Sequence, residues 1–316
     1  MSHAGRRVLI AGGAGFIGSH LCERFIAEGD FVYAVDNYST GRKSNLDLIL
    51  EQDKLQCLDH DVQKPLHLDV DLIINLASPA SPPQYQKDAI NTIKTNFLGT
   101  MHLLDLAQKL TVPFVQASTS EVYGDPQVNP QPESYWGHVN CIGPRACYDE
   151  SKRIAETLCI EYRKERRVDT RLVRIFNTYG PRMNAEDGRV VSNLVVAALK
   201  DEPMSIYGSG EQTRSFCFIS DLVHGLYQIA TDKNLRNVGP VNLGNDHEFT
   251  INELAALIFT LLAKKPHYSY LPLPENDPQV RKPDLTLARK LFNWQPKVDL
   301  EQGLLHTIEY FAKSLS

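Results

Sequence analysis

No window of the chain approaches the 18 or more consecutive apolar residues of a membrane-spanning helix, and Met1–Arg7 enters a strand-like run without the apolar core of a secretion signal. The expectation is a cytoplasmic protein with no membrane partner. Basic tracts are scarce too. Lys and Arg number 33 against 38 Asp and Glu, and nothing more basic than Arg163-Lys164-Glu165-Arg166-Arg167 occurs, so nucleic acid finds no electrostatic footprint. The six cysteines contain no CxxC pair, and 316 residues can bury a core without disulfide staples. Cys22 and Cys159 fall at apolar helical positions and read as small buried thiols. The histidines are scattered without zinc spacing, so no metal is expected. Low-complexity stretches are also missing, and an apolar fraction of 42% excludes a disordered chain.

What is present alternates. Strand-like runs at Arg7–Ala11, Phe31–Asp36, Leu55–Asp61, Asp71–Leu76, Pro113–Ser118 and Thr170–Phe176 are separated by helical stretches at Phe16–Glu28, about Ala89–Lys109 and Pro144–Arg166. Near-continuous apolar strands such as Asp71-Leu72-Ile73-Ile74-Asn75-Leu76 suit a sheet buried on both faces, and helical crossovers allow parallel strands to be joined. The predicted fold class is α/β, a doubly wound parallel sheet of Rossmann type. After Gly180 the rhythm breaks into short strands such as Met204–Tyr207. Thr250-Ile251-Asn252-Glu253 reads as a capping box opening a helix through Leu262, and Asp299–Phe311 as a terminal amphipathic helix. The expected division is residues 1–180 for a dinucleotide and 181–316 mainly for substrate, with the chain crossing between them.

Gly12, Gly15 and Gly18 form a GxxGxxG pattern at the first strand–helix junction. Glycine there permits a tight turn and close approach of a pyrophosphate to the helix N-terminus. Asp36 ends the next strand, where a carboxylate accepts from both ribose hydroxyls of NAD and repels a 2′-phosphate, although Arg42 and Lys43 could still serve NADP. Asp61-Val62 ends the third strand and would flank the adenine or simply cap a turn.

Tyr148 and Lys152 stand four apart on one helical face, where an ammonium lowers the pKa of a neighbouring phenol. Thr119-Ser120-Glu121 follows the strand Pro113–Ser118, at the carboxyl edge where doubly wound sheets bind ligands. A hydroxyl, a carboxylate and the Tyr/Lys helix could converge there.

With the glycine turn, Tyr148-x-x-x-Lys152 and the hydroxyl near position 120, the chain resembles the extended short-chain dehydrogenase/reductase family acting on nucleotide sugars. The segments Leu76–Pro83, Ser118–Pro126, Arg174–Arg182, Asp187–Asn193, Gly208–Arg214 and Arg281-Lys282-Pro283-Asp284 bring it closest to the branch that decarboxylates UDP-glucuronate to UDP-xylose with recycled NAD. The resemblance implies Tyr148 as base, Lys152 as its partner, Thr119 or Ser120 on the sugar's 4-hydroxyl and Glu121 beside the ring. Phe16, Ile17, Asp36, Asn37, Tyr38, Thr40, Gly41, Asp61, Val62, Leu76, Ser78, Thr95, Thr178 and Arg189 would line NAD. Tyr85, Lys94, Asn177, Arg189, Arg214 and Arg281 would meet sugar and diphosphate, with Arg281 on the glucuronate carboxylate, on the diphosphate or in a proton relay. The family also implies a homodimer through the helices at Ala89–Lys109 and Pro144–Arg166. A C4-epimerase, a 4,6-dehydratase and a silent NAD-sensing scaffold are the competing readings. Ser120 before Glu121, where dehydratases place Asp-Glu, puts a hydroxyl in the acid's place and argues against elimination.

Overall fold

The computed structural model describes residues 5–273 and 280–315. The chain opens with β1 (Arg7–Ala11), α1 (Phe16–Ala27), β2 (Phe31–Asp36), β3 (Leu55–Asp59), β4 (Leu72–Asn75), α2 (Pro82–Lys87) and α3 (Ala89–Leu110). It continues through β5 (Phe114–Thr119), α4 (Ala146–Arg166), β6 (Thr170–Ile175), β7 (Thr178–Tyr179), α5 (Val190–Leu199), β8 (Met204–Tyr207), β9 (Thr213–Ser215), β10 (Cys217–Phe218) and α6 (Ile219–Thr231). The remainder is β11 (Val241–Leu243), β12 (Glu248–Thr250), α7 (Ile251–Leu261), β13 (Tyr268–Leu271), α8 (Thr286–Phe292) and α9 (Leu300–Leu315).

Seven parallel strands form one sheet in the order β11-β6-β5-β4-β1-β2-β3. The order reverses at β1, which pairs with β2 on one side and β4 on the other, so a crevice opens beyond the carboxyl ends of β1 and β4. The period of two along β1 sorts its side chains. Val8 and Ile10 pack with Leu21, Cys22 and Phe25 of α1, whereas Leu9 and Ala11 pack with Leu103, Leu104 and Ala107 of α3 and Cys159 of α4. Both faces are therefore covered, which explains why every residue of β4 and β5 is buried.

The sequence-based ends hold to within one or two residues at most elements, and the capping box is made: Thr250 Oγ1 accepts from Glu253 N at 3.0 Å, and the Glu253 carboxylate accepts from Thr250 N at 2.8 Å. All six cysteines are free, and Cys22 and Cys159 are fully buried. One strand of the sheet had no sequence signal. β11 comes from beyond residue 180 and joins the edge of β6, but three residues are too short to show a period. Among the described residues no helix is long and apolar enough to cross a membrane, and no group of three or more His, Cys, Asp or Glu could hold a metal ion.

Candidate active site

The turn after β1 is built by its glycines. Gly12 has φ +79, and a Cβ there would lie 2.9 Å from Ala77 N and from the Leu76 carbonyl carbon. A Cβ on Gly18 would sit 2.0 Å from Gly12 O, so α1 can rest on the turn only without one. No side chain caps α1. Its first amides and dipole are left for an anion, and Gly12, Gly15, Phe16, Ile17 and Gly18 line a cavity of about 560 Å³. This cradle fits the diphosphate of a dinucleotide. Thr40, Leu76, Ser78 and Thr178 continue the wall.

Asp36 is buried at the end of β2, with Oδ2 accepting from Ala14 N at 3.0 Å and Oδ1 from Tyr38 N at 2.8 Å. Burial raises its pKa against those two hydrogen bonds. A Cβ on Gly41 would approach the Asp36 carboxylate to 2.7 Å, so the loop passes directly over it. Asp61 accepts from Asn37 Nδ2 at 3.3 Å, Gln63 donates to Thr95 Oγ1 at 3.1 Å, and Val62 packs under Gly99 of α3. Tyr38 and Gly41 thus sit against Asp36, Asn37 ties Asp61 to the same loop, Val62 lies against α3 and Thr95 on it, and none of the six is on the cavity wall. Arg42 is also on the cavity wall, and one of its guanidinium nitrogens donates to Arg182 O, Met183 O and the Tyr310 hydroxyl. Lys43 lies 4.9 Å over the Tyr38 ring.

At the other end, β5 delivers Thr119, Ser120 and Glu121 to the cavity opposite Tyr148 and Lys152 of α4. The Tyr148 hydroxyl is hydrogen-bonded to the Thr119 side chain. Lys152 donates to Ala117 O at 3.0 Å, with its Nζ 5.8 Å from the Tyr148 ring centroid. The expected lowering of Tyr148 is not what the protein itself produces. Burial pushes the phenol up, the Glu121 charge adds to this, and the Thr119 hydrogen bond opposes it. Burial also lowers Lys152 to about 8, against the pull of Glu156.

Glu121 is the anchor of a charged cluster. Arg281 grips it with two nitrogens, at 2.6 and 3.0 Å, and Arg145 donates to it at 2.7 Å. Burial would raise its carboxyl, but Arg281 and Arg145 prevail and hold it down to about 2, so it is ionised. Arg145 is the residue the sequence reading missed. It precedes Tyr148 by three positions, in Gly143-Pro144-Arg145, and its only signal was that placement.

Asn177, Arg189, Arg214 and Arg281 line the cavity as expected for substrate contacts. Arg189 is paired with Asp187, and its guanidinium lies 5.6 Å from the centre of the Phe16 ring. Two of the residues expected to meet sugar or diphosphate are not on the wall of this cavity. Lys94 is exposed on α3 and does not reach the cavity, because the helix turns that position outward while Thr92 and Thr95 face in. Tyr85 is fully buried, its ring stacked on Tyr148 at 4.9 Å and 6°, and supports that ring instead of lining the cavity.

The model of the NAD dependent epimerase/dehydratase family matches residues 8–244. The chain is 51% identical over 310 residues to UDP-glucuronic acid decarboxylase 1 of Danio rerio, an alignment covering 98% of this chain and 73% of that protein. To UDP-glucuronic acid decarboxylase 2 of Arabidopsis thaliana it is 50% identical, covering 99% and 70%. Among solved structures, UDP-glucuronic acid 4-epimerase from Bacillus cereus, in complex with UDP-glucuronic acid and NAD, superposes with a TM-score of 0.90 at 26% identity, covering 98% of this chain and all of that one.

Proposed function

Since this chain belongs to the NAD dependent epimerase/dehydratase family, we propose that it decarboxylates UDP-glucuronate to UDP-xylose, with NAD restored in every turnover. The observation that carries this reading is half identity, over nearly the whole chain, to curated UDP-glucuronic acid decarboxylases of a fish and a plant. Bound at the glycine turn and Asp36, NAD would supply reversible oxidation at C4 of the sugar.

The remaining chemistry falls to side chains. Tyr148, oriented by Thr119 and by the stacked Tyr85, takes the 4-hydroxyl proton, and Ser120 holds that oxygen. Because burial keeps the phenol protonated, positive charge must be brought beside it, and Lys152 is the near cation. Once C4 is a ketone it stands β to the carboxylate on C5, so loss of CO₂ leaves an enolate. Arg281 meets the sugar carboxylate with a charge already shared with Glu121. A free guanidinium would bind that carboxylate tightly and stabilise the ground state against its departure, whereas a neutralised one orients it with less penalty. Arg189 and Arg214 serve the diphosphate. Ser120 puts a hydroxyl where dehydratases place the Asp of their Asp-Glu pair, which speaks against a dehydratase.

The division of labour at residue 180, a cytoplasmic location and a homodimer belong to the same reading. For the dimer, Ile90, Ile93, Phe97 and Met101 recur at helical spacing on α3, and Ile90 is 68% exposed although apolar. A second copy laying its α3 and α4 on this pair would cover them.

Incubation of the purified protein with UDP-glucuronate tests the activity. Release of CO₂ with UDP-xylose is expected. An epimerase would return an isomeric UDP-uronate without CO₂, and a scaffold would return the substrate untouched.

A further inference from the structure

Decarboxylation of a carboxylate anion consumes one proton. The proton that Tyr148 takes from the 4-hydroxyl returns to that oxygen when the ketone is reduced, so the hydrogen that replaces the carboxylate on C5 needs another source. During turnover the main cavity holds a dinucleotide and a nucleotide sugar, which displace its water.

A second cavity of about 210 Å³ lies behind the charged cluster. Glu121 and Arg145 line both cavities, and Asp149 lines only the second. Its other wall carries Asp125, His138 and Asn140, all exposed, so its mouth faces solvent. Asp149 follows Tyr148 in the first turn of α4, is 6% exposed, and has a buried Oδ1 without a hydrogen-bond partner. An unsatisfied buried carboxyl oxygen is costly and rare. A merely structural acid in a helix's first turn would do better in water or on a backbone amide.

We propose that Asp149 and the second cavity carry the C5 proton from solvent to Glu121, which delivers it to the sugar. This rests on the decarboxylase reading. The bond from C5 to the carboxylate breaks, its electron pair enters the C4 carbonyl, and CO₂ leaves. The enolate then collapses: Asp149 gives its proton to Glu121, which its two arginines make a fleeting carrier and not a resting acid, a C5–H bond forms with that proton, and water in the second cavity reprotonates Asp149. The net uptake is one proton, and no redox equivalent is exchanged. Burial, followed by the charges of Glu121 and Glu150, raises Asp149 to about 7 against Arg145 and Arg281, so it holds and releases a proton near neutrality.

Asp149→Asn keeps the shape and removes the proton. UDP-xylose formation should fall by roughly 100-fold, the scale of a general-acid contribution. The first CO₂ should still be released, and reduced nicotinamide should accumulate on the enzyme during turnover, as read by its absorbance. Asp149→Glu should recover part of the rate. In the wild type, the reduced fraction should rise as pH is taken above about 7, and this rise should be missing from Asp149→Asn even though Lys152 still titrates. Equal slowing of CO₂ and UDP-xylose with the cofactor left oxidised would mark a structural role and overturn the proposal, as would wild-type rates in Asp149→Asn. If the wild type releases no CO₂, the decarboxylase reading itself falls, and the relay with it.

Discussion

At the scale of single residues, the site is a contest between burial and charge. Tyr148 is the group burial most needs to be rescued from, and Tyr148→Phe separates its oxygen from its ring. The ring still stacks on Tyr85, so released NAD after denaturation should be unchanged, while turnover drops by about 10²–10⁴-fold. A variant that kept a third of the wild-type rate would remove Tyr148 from catalysis. Glu121 presents the opposite sign. Its folded pKa lies below its unfolded one, so the stability it contributes is complete above the ordinary carboxylate range and lost as pH falls toward about 2. Wild-type stability from denaturant titrations should therefore fall more steeply between pH 5 and pH 3 than that of Glu121→Gln, by at most about 1.4 kcal/mol per pH unit for one proton. Identical slopes would mean that Arg145 and Arg281 do not hold the carboxylate as the geometry has it. Tyr148, Lys152 and Glu121 were legible as residue types at telling positions. Their pKa directions were not, because desolvation depends on neighbours distant in sequence, such as Arg281, 160 residues from Glu121.

At the scale of elements, the glycine turn and α1 act as one device, since the helix N-terminus is useful only if it can sit on the turn. Gly18→Ala places a methyl 2.0 Å from Gly12 O, which neither backbone can yield without moving the helix off the turn. The purified variant should carry little or no NAD, with a thermal midpoint lowered by several degrees; full cofactor content would show that the close contact is not needed. Asp36 closes the same device from β2. Asp36→Ala frees the amides of Ala14 and Tyr38 and removes the charge facing a 2′-phosphate, so NAD should weaken and its advantage over NADP shrink when both are titrated by calorimetry. Arg42 and Lys43 left this choice open in the sequence. The structure puts Arg42 on the cavity wall with one nitrogen engaged by Arg182, Met183 and Tyr310, partners that no local pattern announces. The same limit hid β11. Long elements such as α3 and α4 carry enough turns to display a period, whereas a three-residue edge strand is defined by its partner β6 alone.

At the scale of the whole molecule, the helix that carries Tyr148 and Lys152 and the helix packed beside it leave an apolar face outward. α4 sends Tyr148 and Lys152 inward and Ile154 outward, and α3, packed beside it, shows Ile90 and Ile93 to solvent. A lone exposed isoleucine is ordinary, but a helical stripe continued by Phe97 and Met101 is what a two-fold partner would bury. Light scattering at micromolar concentration should give about twice 35.6 kDa. Ile93→Lys with Ile154→Lys would place charges on that face, and two copies would bring like charges together there. The pair of changes should return the mass to a single chain without unfolding it, because both side chains are already 44% and 39% exposed. Activity should fall with the mass if the partner steadies α4, since Tyr148 and Lys152 ride on that helix. A wild type that runs at 35.6 kDa would leave the stripe unexplained by self-association, and a double variant that remains a dimer would move the interface to another face of the molecule.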